Sequence, residues 1–376
     1  MSFWWYMKPL YGLTKFLLIH PFGIEWKSGA AHVSILGTMH SLTLAIAYSI
    51  YHVMMAKRQM GFIEMDYNFV THAINLYNLF SGCTFFLLIV ITISVKQRQM
   101  INALRGIYKF DDQMEKMNFS VDNRNWSISF YLPGIMIFSA LSIMEYENCI
   151  MFIRDSMAFS DFCLIMCYIP MFVLIVCEWM FIGYILAIKY RFNLINIQLQ
   201  DLPEYDSHNQ ATLEVLKFNA KILTDATKAL NSVFSFPLLL LLLNQFTAMA
   251  TLLYDLCMCI VDFGDQSNKL LDDAFNTGGW SMLFMLETLA LCRVCQALEM
   301  EAQKTTSHFV RLSKYGCLQI LQLRKAFCVK FIACHLFHID MKLFYTMFGA
   351  IATYLIILVQ FDIAQNGSHP LAIIAM

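Results

Sequence analysis

Apolar positions in this chain fall into long, nearly unbroken runs rather than alternating stripes, and each run approaches the length that crosses a bilayer. A helix rises about 1.5 Å per residue, so a hydrocarbon core of about 30 Å needs roughly 20 mostly apolar residues. Seven windows meet that requirement: 33–55, 68–94, 127–146, 162–187, 233–261, 278–299 and 343–363. The fifth holds six consecutive leucines directly after Pro237, whereas Glu287 and Arg293 interrupt the sixth. The pattern predicts an all-α membrane protein with seven transmembrane helices in one domain spanning 1–376.

Outside those windows the helical period continues. Ahead of the first, Trp4, Trp5, Tyr6 and Tyr11 stand beside Lys8, Pro9 and Lys15, with no small-residue cleavage site. That mixture suits a helix lying in the headgroup layer better than a signal peptide. Leu216, Ala220, Leu223, Thr227 and Leu230 recur in steps of four and three, one stripe of a helix that runs straight into the fifth window. A second stripe, Leu318, Leu321, Ala326 and Phe327, precedes the seventh. Apolar stripes seek partners, so both predict a bundle beyond the bilayer, made from extensions of the membrane helices, that joins copies of the chain.

Charge orients the windows. Lys and Arg accumulate on cytosolic loops. If the N-terminus is cytosolic, 21 of them fall on the cytosolic side and 4 on the outer side, with Arg293 inside the sixth window. The expected arrangement is therefore N-terminus inside and C-terminus outside, the reverse of a G-protein-coupled receptor.

Composition agrees: 59% of residues are hydrophobic and 14% charged, too apolar for a soluble globular chain. A net charge of −1 provides no basic face for nucleic acid. None of the nucleotide, metalloprotease or serine-hydrolase motifs occurs, so no enzymatic activity and no cofactor are expected. Cys292 and Cys295 form a CxxC inside an apolar run and read as packing. Cys334, His335, His338 and Asp340, just before the seventh window, read as an interfacial cluster at the cytosolic mouth rather than a metal site. Cys149, Cys163, Cys257 and Cys259 lie near expected outer ends, where the oxidising exterior permits a disulfide; the pairing stays open. Sequons at Asn118, Asn125 and Asn366 fall on both sides and do not decide the topology.

The most specific motif ends the last window. Thr353, Tyr354, five apolar residues, Gln360 and Phe361 resemble the signature of the insect gustatory receptors, at the matching place in the final helix. The related odorant receptors share the architecture without this motif and are the alternative. The resemblance implies a tetrameric, tastant-gated, non-selective cation channel in the plasma membrane of chemosensory neurons, as a homo- or hetero-tetramer. It implies that the seventh helices line one pore and that Gln360 and Phe361 form its gate. Helical spacing then adds Thr346, Ala350, Thr353 and Ile357 to the pore face, with Tyr354 expected against a neighbouring helix.

The orientation also fixes which residues face the outer half, where a small-molecule tastant would enter. His72, Asn75, Glu145, Tyr168, Thr251, Tyr254, Asp255 and Trp280 are the candidates, with Glu287 deeper. An intramembrane carboxylate costs ~3 kcal/mol or more and marks a wet cavity or a partner. Trp280 with Asp255, Asn75 and His72 could serve a sugar; a mostly apolar pocket suits bitter compounds equally. A second class stays open: a transporter with Glu287, Asp255 and Glu178 as a proton relay, although no Gly/Pro-broken helix pair accompanies it.

Overall fold

The computed structural model describes residues 3–25, 30–60, 69–117, 119, 121, 123–155, 168–202, 210–261, 267–312 and 317–366. A helix stands at every predicted window: α2 (Ile35–Met60), α3 (Phe69–Val95), α5 (Arg124–Asp155), α6 (Ile169–Asp201), α7 (Gln210–Val261), α8 (Ser267–Leu312) and α10 (Met341–Asn366). Three further helices are α1 (Phe3–Phe16), α4 (Gln97–Lys116) and α9 (Cys317–Ala326). Two short antiparallel hairpins complete the described chain, β1 (Gly23–Glu25) with β2 (Ala30–His32), and β3 (Ile332–Ala333) with β4 (Phe337–His338).

Among the described residues five segments are long and apolar enough to cross a membrane: Trp126–Tyr146, Ile169–Asp201, Gln210–Cys257, Ala274–Leu312 and Met341–Gln360. A sixth is the pair Phe80–Val95 and Gln97–Lys116, bent by 65°. Helix α2 has the length, but His40, Ser41, Ser49 and His52 dilute its apolar run. Its exposed side is nonetheless Ile35, Leu36, Met39, Ile46, Ile50 and Met54. Water does not tolerate such a continuous apolar face; lipid does.

Helices α6, α7 and α8 are longer than any bilayer requires. At 52 residues, α7 is roughly 78 Å long. Its N-terminal half carries the predicted stripe, and Leu216, Ala220, Leu223, Thr227 and Leu230 are all buried. The partner is not another copy, as expected from the sequence, but α4 of the same chain. Met100, Ala103, Leu104, Ile107, Phe110 and Met114 form the complementary stripe on α4. A Cβ on Gly106 would stand 3.1 Å from the Ala226 Cβ, which shows how closely the two helices cross. The second stripe is also corrected: on α9, Leu321 and Ala326 are exposed, while Leu323 and Phe327 turn inward, Phe327 stacking on Phe309 at 5.6 Å. The side chain of Leu318 lies outside the described ones.

What holds this inner bundle is Arg191 of α6, fully buried. Its Nε donates to Asp111 Oδ1 at 2.8 Å and one Nη to Asp111 Oδ2 at 2.6 Å, a bidentate pair with α4. It also donates to Asn123 Oδ1 at 3.2 Å and to the Ala187 carbonyl at 2.8 Å. The Phe3 ring of α1 covers it at 5.0 Å. Asn123 in turn accepts from Trp126 Nε1 at 2.8 Å, at the start of α5. One guanidinium thus links α1, α4, α5 and α6.

Nearer the bilayer, α5 and α6 exchange side chains for glycines. A Cβ on Gly134 would meet Trp179 at 2.3 Å, and one on Gly183 would meet Phe130 at 2.8 Å. Phe130 and Trp179 stack between these points at 5.6 Å.

The N-terminal helix presents Phe3, Met7, Leu10, Tyr11 and Thr14 inward and leaves Trp5 and Phe16 exposed. Its end is locked by His20, which is buried. The Nδ1 of His20 pairs with the Thr14 hydroxyl and its Nε2 lies 3.2 Å from the Tyr184 hydroxyl. The ring stacks on Tyr11 at 5.5 Å and meets Phe22 edge-on at 4.8 Å.

Two outcomes follow from these contacts. Asp111→Ala leaves a buried guanidinium without its counter-charge and should cost about 3–5 kcal/mol, read as a lower thermal midpoint of the detergent-purified protein. Burial lowers the His20 pKa to about 3, below its unfolded value near 6.5. The stability His20 contributes is therefore complete above pH ~6.5 and is lost as pH falls toward 3, by at most about 1.4 kcal/mol per pH unit. Protection of residues 3–25 against hydrogen exchange, taken relative to the intrinsic amide rate at each pH, should fall over that range, and His20→Leu should flatten that fall.

Candidate functional site

Helix α10 is set in place before it begins. Asp340 accepts from the Leu343 amide at 2.9 Å and caps its start. The β3–β4 hairpin just ahead is tied to two other helices. Asn231 and Ser235 of α7 accept from the Ile332 and Cys334 amides at 3.2 and 2.7 Å, and Glu299 of α8 accepts from Phe331 at 3.2 Å. Cys334 and His335 turn the hairpin with φ of 46° and 61°. No strand was legible here from the residues alone, because two residues per strand carry no readable alternation. Among the described residues no group of three His, Cys, Asp or Glu side chains is placed to hold a metal ion.

Along α10 the chain covers one side only. Met347, Ile351 and Leu358 are buried, whereas Thr346, Ala350, Thr353, Ile357 and Gln360 are all exposed. The residues assigned to one face by spacing do share it, and no described part of the chain buries it. Tyr354, expected against a neighbouring helix, is 43% exposed. The side chain of Phe361 lies outside the described ones.

The candidate ligand residues divide into three sets. The side chains of His72 and Asn75 lie outside the described ones. Glu145, Tyr254 and Trp280 are buried, and the Trp280 Nε1 has no hydrogen-bond partner. Gly279 receives Met144 so closely that an added Cβ would lie 2.8 Å from its methyl, which brings Glu145 and Trp280 into one neighbourhood. Tyr168 shares a hydrogen bond of 3.1 Å with Ser142 and stacks on Phe172. Thr251 is bonded to its own helix, at the Ala248 carbonyl. Asp255, next to the buried Tyr254, is exposed. A groove of about 500 Å³ lined by Lys217, Phe218, Lys221 and Leu323 lies between α7 and α9. It is some 30 residues, roughly 45 Å, along α7 from Thr251 and belongs to the inner bundle.

Glu287, at 3% exposure, belongs to a cluster that the sequence did not reveal. Gln245 of α7 donates to Glu178 Oε2 of α6 at 2.7 Å, and its Oε1 accepts from Thr288 of α8 at 3.0 Å. The same amide reaches the Glu287 carboxyl. Gln245 was missed because one glutamine in an apolar run has no periodic signature; the available signal was that Glu178 and Glu287, on two different runs, each needed a donor.

A family model described as 7tm chemosensory receptor matches residues 7–365, nearly the whole chain. The chain belongs to this family of multi-pass membrane receptors, which are not enzymes. Its fold is similar to that of the insect olfactory receptor OR5 from Machilis hrabei, with a TM-score of 0.64, 12% identity, and coverage of 95% of this chain and 98% of the other. The same receptor in complex with eugenol matches with a TM-score of 0.58, 12% identity, and coverage of 96% and 100%. No curated protein matches the chain by sequence.

The Gln245 amide is the only link among α6, α7 and α8 through the two carboxyls in this cluster. Gln245→Leu should therefore cost about 2 kcal/mol of stability, from stripping buried acceptors of their donor, read as a lower thermal midpoint. An unchanged midpoint would mean that the cluster does not bind the helices together.

Proposed function

We propose that the chain is a gustatory receptor, a tastant-gated non-selective cation channel acting as one receptor-channel domain over 1–376. It crosses the plasma membrane of a chemosensory neuron seven times, with the N-terminus cytosolic and the C-terminus outside. Four subunits, identical or mixed with other gustatory receptors, surround a pore lined by α10. The observation that carries this reading is the exposed face Thr346, Ala350, Thr353, Ile357 and Gln360, which ends in the gustatory motif on a helix its own chain covers on one side. Gln360 and Phe361 are neighbours about 100° apart around the helix. A modest rotation of α10 exchanges an amide that can replace part of an ion's hydration for an aromatic ring that can close a pore by dewetting. The tastant site is assigned to Glu145, Tyr168, Thr251, Tyr254 and Trp280, with His72, Asn75, Asp255 and Glu287 completing its outer and deep ends.

The likeness to OR5 favours a second reading, an odorant receptor. At 12% identity that likeness speaks to fold, whereas the Thr353-Tyr354 and Gln360-Phe361 pairs favour taste.

Expressed in an otherwise silent cell, the protein should give cation current to a sugar or an alkaloid. Current to volatile phenols alone would favour the odorant reading, and saturable uptake without current would favour a transporter. Phe361→Ala should raise the ligand-free current and Gln360→Ala should change ion preference; surface-expressed variants indistinguishable from the parent would move the gate elsewhere. A tag after Met376 should stain intact cells, and a tag before Met1 only permeabilised ones.

A further inference from the structure

The Glu178–Gln245–Glu287–Thr288 cluster contains two acids and no base. Glu178 and Glu287 are 2% and 3% exposed, on segments apolar enough to cross a membrane. The ion pairs among the described residues include neither of them. Each carboxylate retains one oxygen, Oε1, with no hydrogen-bond partner. The one nearby donor is already engaged, because the Gln245 amide nitrogen holds Glu178 Oε2 at 2.7 Å. Thr288 donates its hydroxyl to Gln245 and to the Phe284 carbonyl, which leaves lone pairs on its Oγ1. With no described Lys, Arg or His paired to them, two ionised carboxylates around this shared amide would present negative charge that no described side chain offsets, and burying such charge uncompensated is strongly unfavourable.

We propose that Glu178, Glu287 and Thr288, oriented by Gln245, form a binding site for a hard metal cation between α6, α7 and α8. Every available ligand is an oxygen, which selects sodium, potassium or calcium over zinc or copper. The three helices supplying the ligands also carry the inner bundle, and α7 and α8 hold the hairpin that leads into α10. An ion here joins α6, α7 and α8 where no described side chain is paired to the carboxylates with a positive charge.

The test uses the full-length protein purified in detergent. Its thermal midpoint is measured at constant ionic strength and pH in sodium, potassium or calcium chloride, each titrated against N-methyl-D-glucamine chloride. Ligation stabilises the folded state in proportion to the logarithm of ligand concentration. A midpoint that rises with the logarithm of the concentration of at least one metal cation is therefore expected, identifying which one binds. Glu178→Gln and Glu287→Gln keep the side-chain shape and remove the charge, so both should fold and both should lose the dependence. Equal midpoints in all salts would overturn the proposal, as would a cation effect that survives in both variants. A midpoint that follows pH but not cation identity would also overturn it, because a proton would then be offsetting the charge.

Discussion

The inner architecture depends on burying one guanidinium. Arg191 has no exposed surface, so its donors must all find protein acceptors, and those acceptors lie on different elements: Asp111 on α4, Asn123 just before α5, and the Ala187 carbonyl within α6. An arginine can do this because its planar fork meets a carboxylate in two parallel bonds. A buried ion pair adds little net stability over apolar packing. Its effect is to specify geometry, since α4 has one register against α6 in which both bonds form. That register sets the stripe of α4 on α7, and through α7 the position of the hairpin that leads to α10.

The hairpin joins two parts of different character. Above it, α10 is covered along a single side; below it, α7 and α8 are packed over much of their length. Asn231, Ser235 and Glu299 grip backbone amides rather than side chains. The grip is thus independent of which residues occupy 331–334 and depends only on their conformation. A displacement of α7 relative to α8 reaches the first turn of α10 through three hydrogen bonds, with little slack because each is 2.7–3.2 Å long.

The positions of the long helices were legible in the sequence because a bilayer demands about 20 apolar residues and little else competes with that signal. Their full lengths were less so: α7 begins well before its window because the 216–230 stripe continues the same helix. The partner of that stripe was misread, since spacing shows that a face is apolar but not what covers it, and α4 lay in a segment rich in Lys and Arg. The exposed face of α10 was readable from period and motif together. The Gln245 cluster was not, because its members lie on three runs far apart in sequence and only folding brings Glu178 and Thr288 to 2.7 and 3.0 Å from Gln245. Asp255 and Glu287 looked alike in the sequence, as lone acids near apolar runs, yet one is exposed and the other buried.

The threonines of α10 bear on the order in which this protein is made. Thr346 and Thr353 donate their hydroxyls to the Lys342 and Gly349 carbonyls of their own helix, the back-bonding that lets a hydroxyl sit in hydrocarbon without a partner. A newly inserted chain can therefore rest with this face against lipid, its two threonine hydroxyls already satisfied. In the proposed tetramer, where water would replace lipid along the face, the same hydroxyls could turn outward at the expense of one weak bond each. Under that proposal insertion and association are separable steps, and the side chains suited to a wet channel are also those that keep an unassembled subunit soluble in the membrane.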